Sequence, residues 1–239
     1  MKRIVLALSI IVVGCQAANV EDTVLKLVEE GKVSQAQEIV RKSGATGREL
    51  GRLQGILYHS YGMADSALVY LKQAYADAPN DPVISLRLAE VLFWKKDLRT
   101  VRTIVEKVSD KSVATGPRKW ETMMHKAQLQ SWLQEFDSSR RLYQGVLDAS
   151  GTPDAVKVQC RYHLAEIAAW KKDFAKSLSM LDALLASIPG YVDASLLKGQ
   201  ILEWQGKYAE ARNVYTSGLQ RHPTDALLRA RLEKLSWVK

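Results

Sequence analysis

Two stretches of this sequence nearly superimpose: residues 88–98 read LAEVLFWKKDL, and residues 164–174 read LAEIAAWKKDF. They lie 76 residues apart, which is twice 38. Midway between them residues 126–136 read KAQLQSWLQEF, and residues 198–208 read KGQILEWQGKY after a spacing of 34. A tryptophan recurs at the same place in every copy. Self-similarity at this period is typical of repeat arrays, in which each unit packs on its neighbours.

Each copy extends into a unit that places small residues where two helices must approach and larger apolar residues between them. Residues 48–81 show this best, with Gly55 and Ala67 at small positions and Leu71 at a large one. These features resemble the tetratricopeptide repeat, a helix–turn–helix unit of 34 residues. The units cover about residues 17–47, 48–81, 82–115, 120–153, 158–191 and 192–225.

The resemblance implies an all-α fold, a solenoid of about six repeats wound as a right-handed superhelix. Residues 226–239 follow the last unit as one amphipathic segment without a partner, and they predict a C-terminal capping helix. Thirteen helices are expected. Gly62 and Gly206 stand where the first helix of a unit ends, which suits a left-handed residue. Lys96 and Lys172 replace this glycine, so we expect a different turn conformation there.

The first residues predict an export signal. Met1-Lys2-Arg3 is basic, and residues 4–13 are apolar except for Ser9, too short a run to span a bilayer. The run ends in Gly14-Cys15, which resembles the lipidation motif of bacterial lipoproteins. Residues 1–14 would then be removed and Cys15 acylated, with Gln16 favouring the outer membrane. The alternative is cleavage after Ala17 or Ala18, which would release a soluble periplasmic protein.

Composition excludes several classes of protein. With 47% hydrophobic and 25% charged residues, the chain is expected to fold, and two cysteines cannot form a disulfide framework. Cys160 is predicted to be a small buried residue on a helix. The formal charge of +8 becomes +6 once Lys2 and Arg3 are removed. This charge is spread along the chain rather than gathered in one patch, so nucleic acid is not the expected partner.

Motifs that carry chemistry are missing from the sequence. It has no HExxH, no phosphate-binding glycine loop and no GxSxG, and its four histidines are not spaced as metal ligands. The sequence therefore predicts a protein that is not an enzyme and needs no metal or cofactor.

A polar and aromatic stripe runs along the first helix of successive units, at positions 2, 6, 9 and 13, which share a helical face. The resemblance implies that this stripe lines the concave groove where partners bind. Hereafter it is called the A-helix stripe. Its members are Arg87, Glu90, Trp94, His125, Gln128, Trp132, His163, Glu166, Trp170, Gln200 and Trp204.

Three interpretations of the stripe stay open. The leading prediction is a scaffold or adaptor of the bacterial cell envelope that holds a protein or peptide partner in the groove. An alternative is glycan binding by the tryptophans in exopolysaccharide export, because such rings stack on sugars. In the third, the tryptophans only fill space between units. His125 and His163 occupy matching positions and can form a pH-sensitive pair or ordinary groove walls.

Overall fold

The computed structural model describes residues 20–28, 30–115 and 118–236. In this part of the chain the structure is helical, without strands, and it divides into two compact units, Met1–Thr122 and Met123–Lys239. The predicted signal peptide and Cys15 lie outside the described residues. Among the described residues, no helix is both long enough and apolar enough to cross a bilayer.

Unit 1 contains helices that pair in chain order. Their bounds are α1, residues 20–28; α2, Val33–Lys42; α3, Gly47–Ser60; α4, Ala64–Asp77; α5, Pro82–Trp94; α6, Leu98–Lys107; and α7, Asp110–Val113. The next helix, α8, spans Lys119–Trp132, and the division between the units falls after Thr122. The one-turn α7 was not expected and brings the described helices to fourteen. It begins after Ser109, whose hydroxyl accepts a hydrogen bond from Ser112 N at 3.1 Å.

Unit 2 continues the same alternation of helices and ends in one unpaired helix. The bounds are α9, Phe136–Asp148; α10, Asp154–Trp170; α11, Phe174–Ser187; α12, Val192–Trp204; α13, Tyr208–Arg221; and α14, Ala226–Ser236. The predicted capping helix is confirmed as α14. Asp225 begins it by accepting a hydrogen bond from Leu228 N at 2.8 Å, and Leu228 packs with Tyr215 and Leu235.

The paired helices approach closely because small residues face large ones. A Cβ atom on Gly55 would lie 2.5 Å from Leu71 Cγ, and one on Gly199 would overlap the Tyr215 ring. Where serine takes the small position on the second helix, it adds a hydrogen bond. Ser177 Oγ donates to the carbonyl oxygen of Ala165 at 2.7 Å. These contacts fix the register of each pair, which in turn fixes which residues face away from it.

The turn between paired helices is the same whether or not glycine is present, so the expectation of a different turn at Lys96 and Lys172 was wrong. Both residues have φ of 63°, close to 71° at Gly62 and 74° at Gly206. After α5, Lys96 N donates to Phe93 O at 2.9 Å and Asp97 N to Leu92 O at 3.0 Å. This is the Schellman pattern, and it repeats after α10 and α12.

Candidate functional site

The A-helix stripe is carried by four helices, which correspond to the first helices of the predicted units. In unit 1, α5 carries Arg87, Glu90 and Trp94. Arg87 Nη1 lies 3.7 Å from Glu90 Oε2, and both side chains are mostly buried. Trp94 is 58% exposed and meets its neighbour Phe93 edge to face, with ring centroids 5.6 Å apart. Unit 1 therefore presents a charged pair and, one turn further on, an exposed indole.

In unit 2 two tryptophans share one packing arrangement. Trp170 lies 6.2 Å from Phe136, and Trp204 lies 5.9 Å from Phe174, measured between ring centroids with the planes tilted by 41° and 40°. Each phenylalanine is the first residue of the second helix in the preceding pair. Trp170 and Trp204 nevertheless remain 36% and 57% exposed. Each indole thus packs on the adjacent repeat and still offers part of its surface to solvent.

His163 and Glu166 come together one turn apart on α10. His163 Nδ1 lies 2.9 Å from Glu166 Oε2, so the Nδ1–H tautomer donates to the carboxylate. The remaining stripe residues, His125, Gln128 and Trp132 on α8 and Gln200 on α12, are half-buried. The structure thus brings one pair of predicted site residues into direct contact in each unit: Arg87 with Glu90 and His163 with Glu166.

Sequence reasoning missed the tyrosines that surround His163. The Tyr143 ring stacks on the imidazole at 5.1 Å and 17°, and the Tyr162 ring meets it edge to face at 5.2 Å. Tyr191 meets Tyr162 at 5.7 Å and 88°. Tyr162 precedes His163 and so lies one position off the stripe, whereas Tyr191 lies in the turn before α12. Helical spacing therefore identifies neither of them, although the richness in tyrosine was visible.

Burial changes the proton affinity of these phenols. Burial, followed by the negative charges of Asp193 and Glu166, raises the pKa of Tyr191 to about 12. The same causes raise the pKa of Tyr162, with burial the largest.

Burial also raises the pKa of the Cys160 thiol to about 12, and the residue is fully buried. The prediction that Cys160 is a small buried residue on a helix is confirmed.

Unit 1 contains an ionic contact that the sequence did not suggest. Glu21 on α1 is 2% exposed, and its Oε2 lies 2.8 Å from Arg52 Nη2 on α3. Its other oxygen accepts a hydrogen bond from Arg118 Nη1, just before α8. Two guanidinium groups from distant parts of unit 1 thus share one buried carboxylate, which joins α1 to the end of the unit.

Among the described residues, no group of three or more His, Cys, Asp or Glu side chains is placed to hold a metal ion. Within each unit, successive helices pack in pairs, and the first helices carry aromatic and polar side chains. That arrangement defines a helical repeat protein.

The comparisons with known proteins agree. The sequence profile of the tetratricopeptide repeat matches residues 58–118 and 171–235, which together exceed half of the chain. The chain belongs to the tetratricopeptide repeat family. Proteins of this family are typically non-catalytic scaffolds that bind other proteins. No curated protein sequence matches the chain.

Solved structures share the fold at low sequence identity. A tetratricopeptide repeat protein from Parabacteroides merdae has a TM-score of 0.66 at 14% identity, over 92% of this chain and 86% of its own. PilW, described as a type IV pilus biogenesis factor, has a TM-score of 0.66 at 13% identity, over 90% of this chain and 98% of its own. Pseudomonas aeruginosa pilF has a TM-score of 0.60 at 10% identity, over 95% of this chain and 99% of its own. These similarities confirm the predicted all-α repeat fold and concern the fold alone.

Proposed function

We propose that this protein is a non-enzymatic scaffold or adaptor of the bacterial cell envelope, which holds a partner protein along its A-helix stripe. The observation that carries the proposal is the partial exposure of Trp170 on α10, which also holds the His163–Glu166 pair, and of Trp204 on α12. Large aromatic side chains beside polar groups are the residues that contribute most to binding at protein interfaces.

The envelope location is proposed from the first fifteen residues. A basic start, a short apolar run and Gly14-Cys15 support export followed by acylation of Cys15, with the outer membrane as the expected destination. More than one acyl chain would anchor the protein stably. The intact mass of the chain recovered from envelope fractions decides the matter: a mass that begins at acylated Cys15 supports the anchor, and one that begins at Ala18 or Asn19 contradicts it.

Site-specific photo-cross-linking in the native host tests partner binding. A photoreactive amino acid replaces Gln200, which lies on the A-helix stripe, in the full-length chain. We expect it to capture one reproducible protein in the envelope. The matched control places the same photoreactive residue at Gln220, an exposed glutamine on α13 that lies outside the stripe.

Three outcomes are informative. Capture from Gln200 and not from Gln220 supports the scaffold and its binding face. Equal capture from both positions contradicts a binding role for the stripe, and no captured protein at either position contradicts the scaffold.

Glycan binding is the second candidate, because three indoles in the described chain keep between 36% and 58% of their surface exposed. Stacking on a sugar ring would need such a surface. In that case an exported polysaccharide would quench the indole fluorescence of the purified protein, and Trp204→Ala would weaken the effect. Cross-linking from Gln200 would then yield carbohydrate rather than protein.

A further inference from the structure

One cluster on unit 2 combines aromatic rings with carboxylates and contains no lysine or arginine. It is formed by Tyr162, His163 and Glu166 on α10 with Tyr191 and Asp193 at the start of α12, and is called the aromatic–carboxylate cluster below. Its rings meet at 5.2 Å and 5.7 Å between centroids, and Tyr162 Oη lies 3.4 Å from Glu166 Oε1. The tyrosines and Glu166 are half-buried and Asp193 is exposed, so a ligand can reach the cluster from solvent.

No lysine or arginine of the described chain pairs with the carboxylates of this cluster. The contacts of Glu166 are the imidazole of His163 and the phenol of Tyr162, and Asp193 forms no ion pair with a described residue. Two carboxylates on other first helices do have basic partners: the half-buried Glu90 pairs with Arg87, and the buried Glu21 pairs with Arg52. Glu166 accepts hydrogen bonds from the imidazole and the phenol, but no lysine or arginine offsets its charge, and partial burial weakens its hydration.

A buried neighbour adds a polar group without a partner. Tyr143 is 1% exposed and stacks on the His163 ring, yet its hydroxyl has no hydrogen-bond partner. Burial, followed by the negative charge of Glu166, raises the pKa of this phenol, so the hydroxyl keeps its proton. The stacked ring holds the imidazole in place, and the Tyr143 hydroxyl is a buried polar group without a partner beside the cluster.

Aromatic faces and carboxylates together are the chemistry that recognises organic cations. The negative face of a tyrosine ring attracts a guanidinium or ammonium group, and Glu166 and Asp193 add direct charge attraction. An acidic ligand would be repelled by the same two carboxylates.

We infer that the aromatic–carboxylate cluster binds a cationic side chain, an arginine or lysine of the partner protein. This inference rests on the proposed function, because it names the chemistry by which that partner is recognised. The partner segment seated on unit 2 would carry at least one basic residue, placed against the exposed surface of the Tyr162 and Tyr191 rings and close to Glu166 and Asp193.

The experiment titrates the full-length chain with two small probes, N-acetyl-arginine methylamide and N-acetyl-lysine methylamide, and follows the histidine and tyrosine ring signals by NMR. We expect saturable shifts of the His163 and Tyr162 signals with at least one probe. N-acetyl-glutamate methylamide is the acidic control and should leave these signals unchanged.

Variants separate binding from folding. Glu166→Gln should lower the affinity for the cationic probe by about tenfold, which is the loss expected when one charge contact is removed. Glu210→Gln, which alters an exposed carboxylate on α13, is the matched control and should bind like the parent chain. Urea unfolding of each variant shows whether unit 2 still folds, and Asp193→Asn at an exposed position provides a second test if Glu166→Gln does not.

The inference is overturned if neither cation gives saturable shifts, if the acidic probe shifts the same signals equally, or if Glu166→Gln and Asp193→Asn both bind like the parent chain. Failure here is distinct from failure of the scaffold. If Gln200 still captures a protein partner while no variant of the cluster changes that capture, the scaffold stands and its partner uses other contacts.

Discussion

Single residues at the helix ends show how packing overrides local preference. Lys172 takes the left-handed conformation with φ of 63°, although a side chain there disfavours this region by about 1 kcal/mol. Its amide donates to Ala169 O at 2.9 Å, and the next amide donates to Ala168 O at the same distance. These two hydrogen bonds and the packing of α10 on α11 hold the turn in place.

We predict that Lys172→Gly stabilises the protein by about 1 kcal/mol, because glycine removes the steric cost of the left-handed backbone. Urea unfolding measures the difference. The matched control is Gln205→Gly, since Gln205 has φ of −86° in the equivalent turn after α12 and gains nothing from glycine. Equal effects of the two substitutions, or a loss of stability with Lys172→Gly, would contradict the prediction.

The residues of the binding face were only partly predictable. Helical spacing selects His163 and Glu166, and the structure joins them at 2.9 Å. It cannot select Tyr191, which reaches the same cluster from a turn, because periodicity carries no information about residues outside helices. Helical spacing also does not show how much of the Trp170 or Trp204 indole is covered, because that depends on the phenylalanine of the preceding repeat that packs against it.

At the scale of the helix, α14 shows which features of an element the sequence carries. Its amphipathic pattern and the preceding Asp225 predict both the helix and its start. The face that it buries follows from the pattern as well: Leu228 is fully buried, whereas Leu227 is 64% exposed. The short α7 was missed because four residues are too few to show a helical period.

We predict that Leu228→Ala destabilises the protein by about 3 kcal/mol, because it leaves a cavity beside Tyr215 and Leu235. The neighbouring Leu227→Ala should change stability by less than about 0.5 kcal/mol. The two variants differ by one position on α14 and have the same chemistry. Chemical denaturation monitored by circular dichroism compares them, and similar losses for both would show that α14 does not pack as described.

At the scale of the whole molecule, buried tyrosines make stability depend on alkaline pH. Burial is the largest cause of a raised pKa at Tyr143, Tyr162, Tyr191 and Tyr215, all in unit 2. A raised pKa means that the folded chain keeps phenolic protons that the unfolded chain has already released. This contribution to stability is complete below pH of about 10, the ordinary tyrosine value, and is lost as the pH rises through the folded-state value.

We predict that the free energy of unfolding falls as the pH rises from about 10 to about 12, where Tyr191 titrates in the folded chain. Urea unfolding at several pH values measures the fall, and tyrosinate absorbance shows when the phenols ionise. Tyr191→Phe is the control, because it removes one titrating group and should make the fall shallower. An unfolding free energy that stays constant over this range would contradict the prediction.

The contact of Glu21 with Arg118 also has a mechanical consequence. It joins two points that are 97 residues apart in the chain. A force that pulls the protein at its two ends would run from α1 straight to Arg118 through this contact, and the helices between them would carry no tension. The chain between the two residues, which would measure about 330 Å when fully extended, would stay folded until the contact broke. The Glu21–Arg118 contact would therefore have to break before most of unit 1 could be stretched.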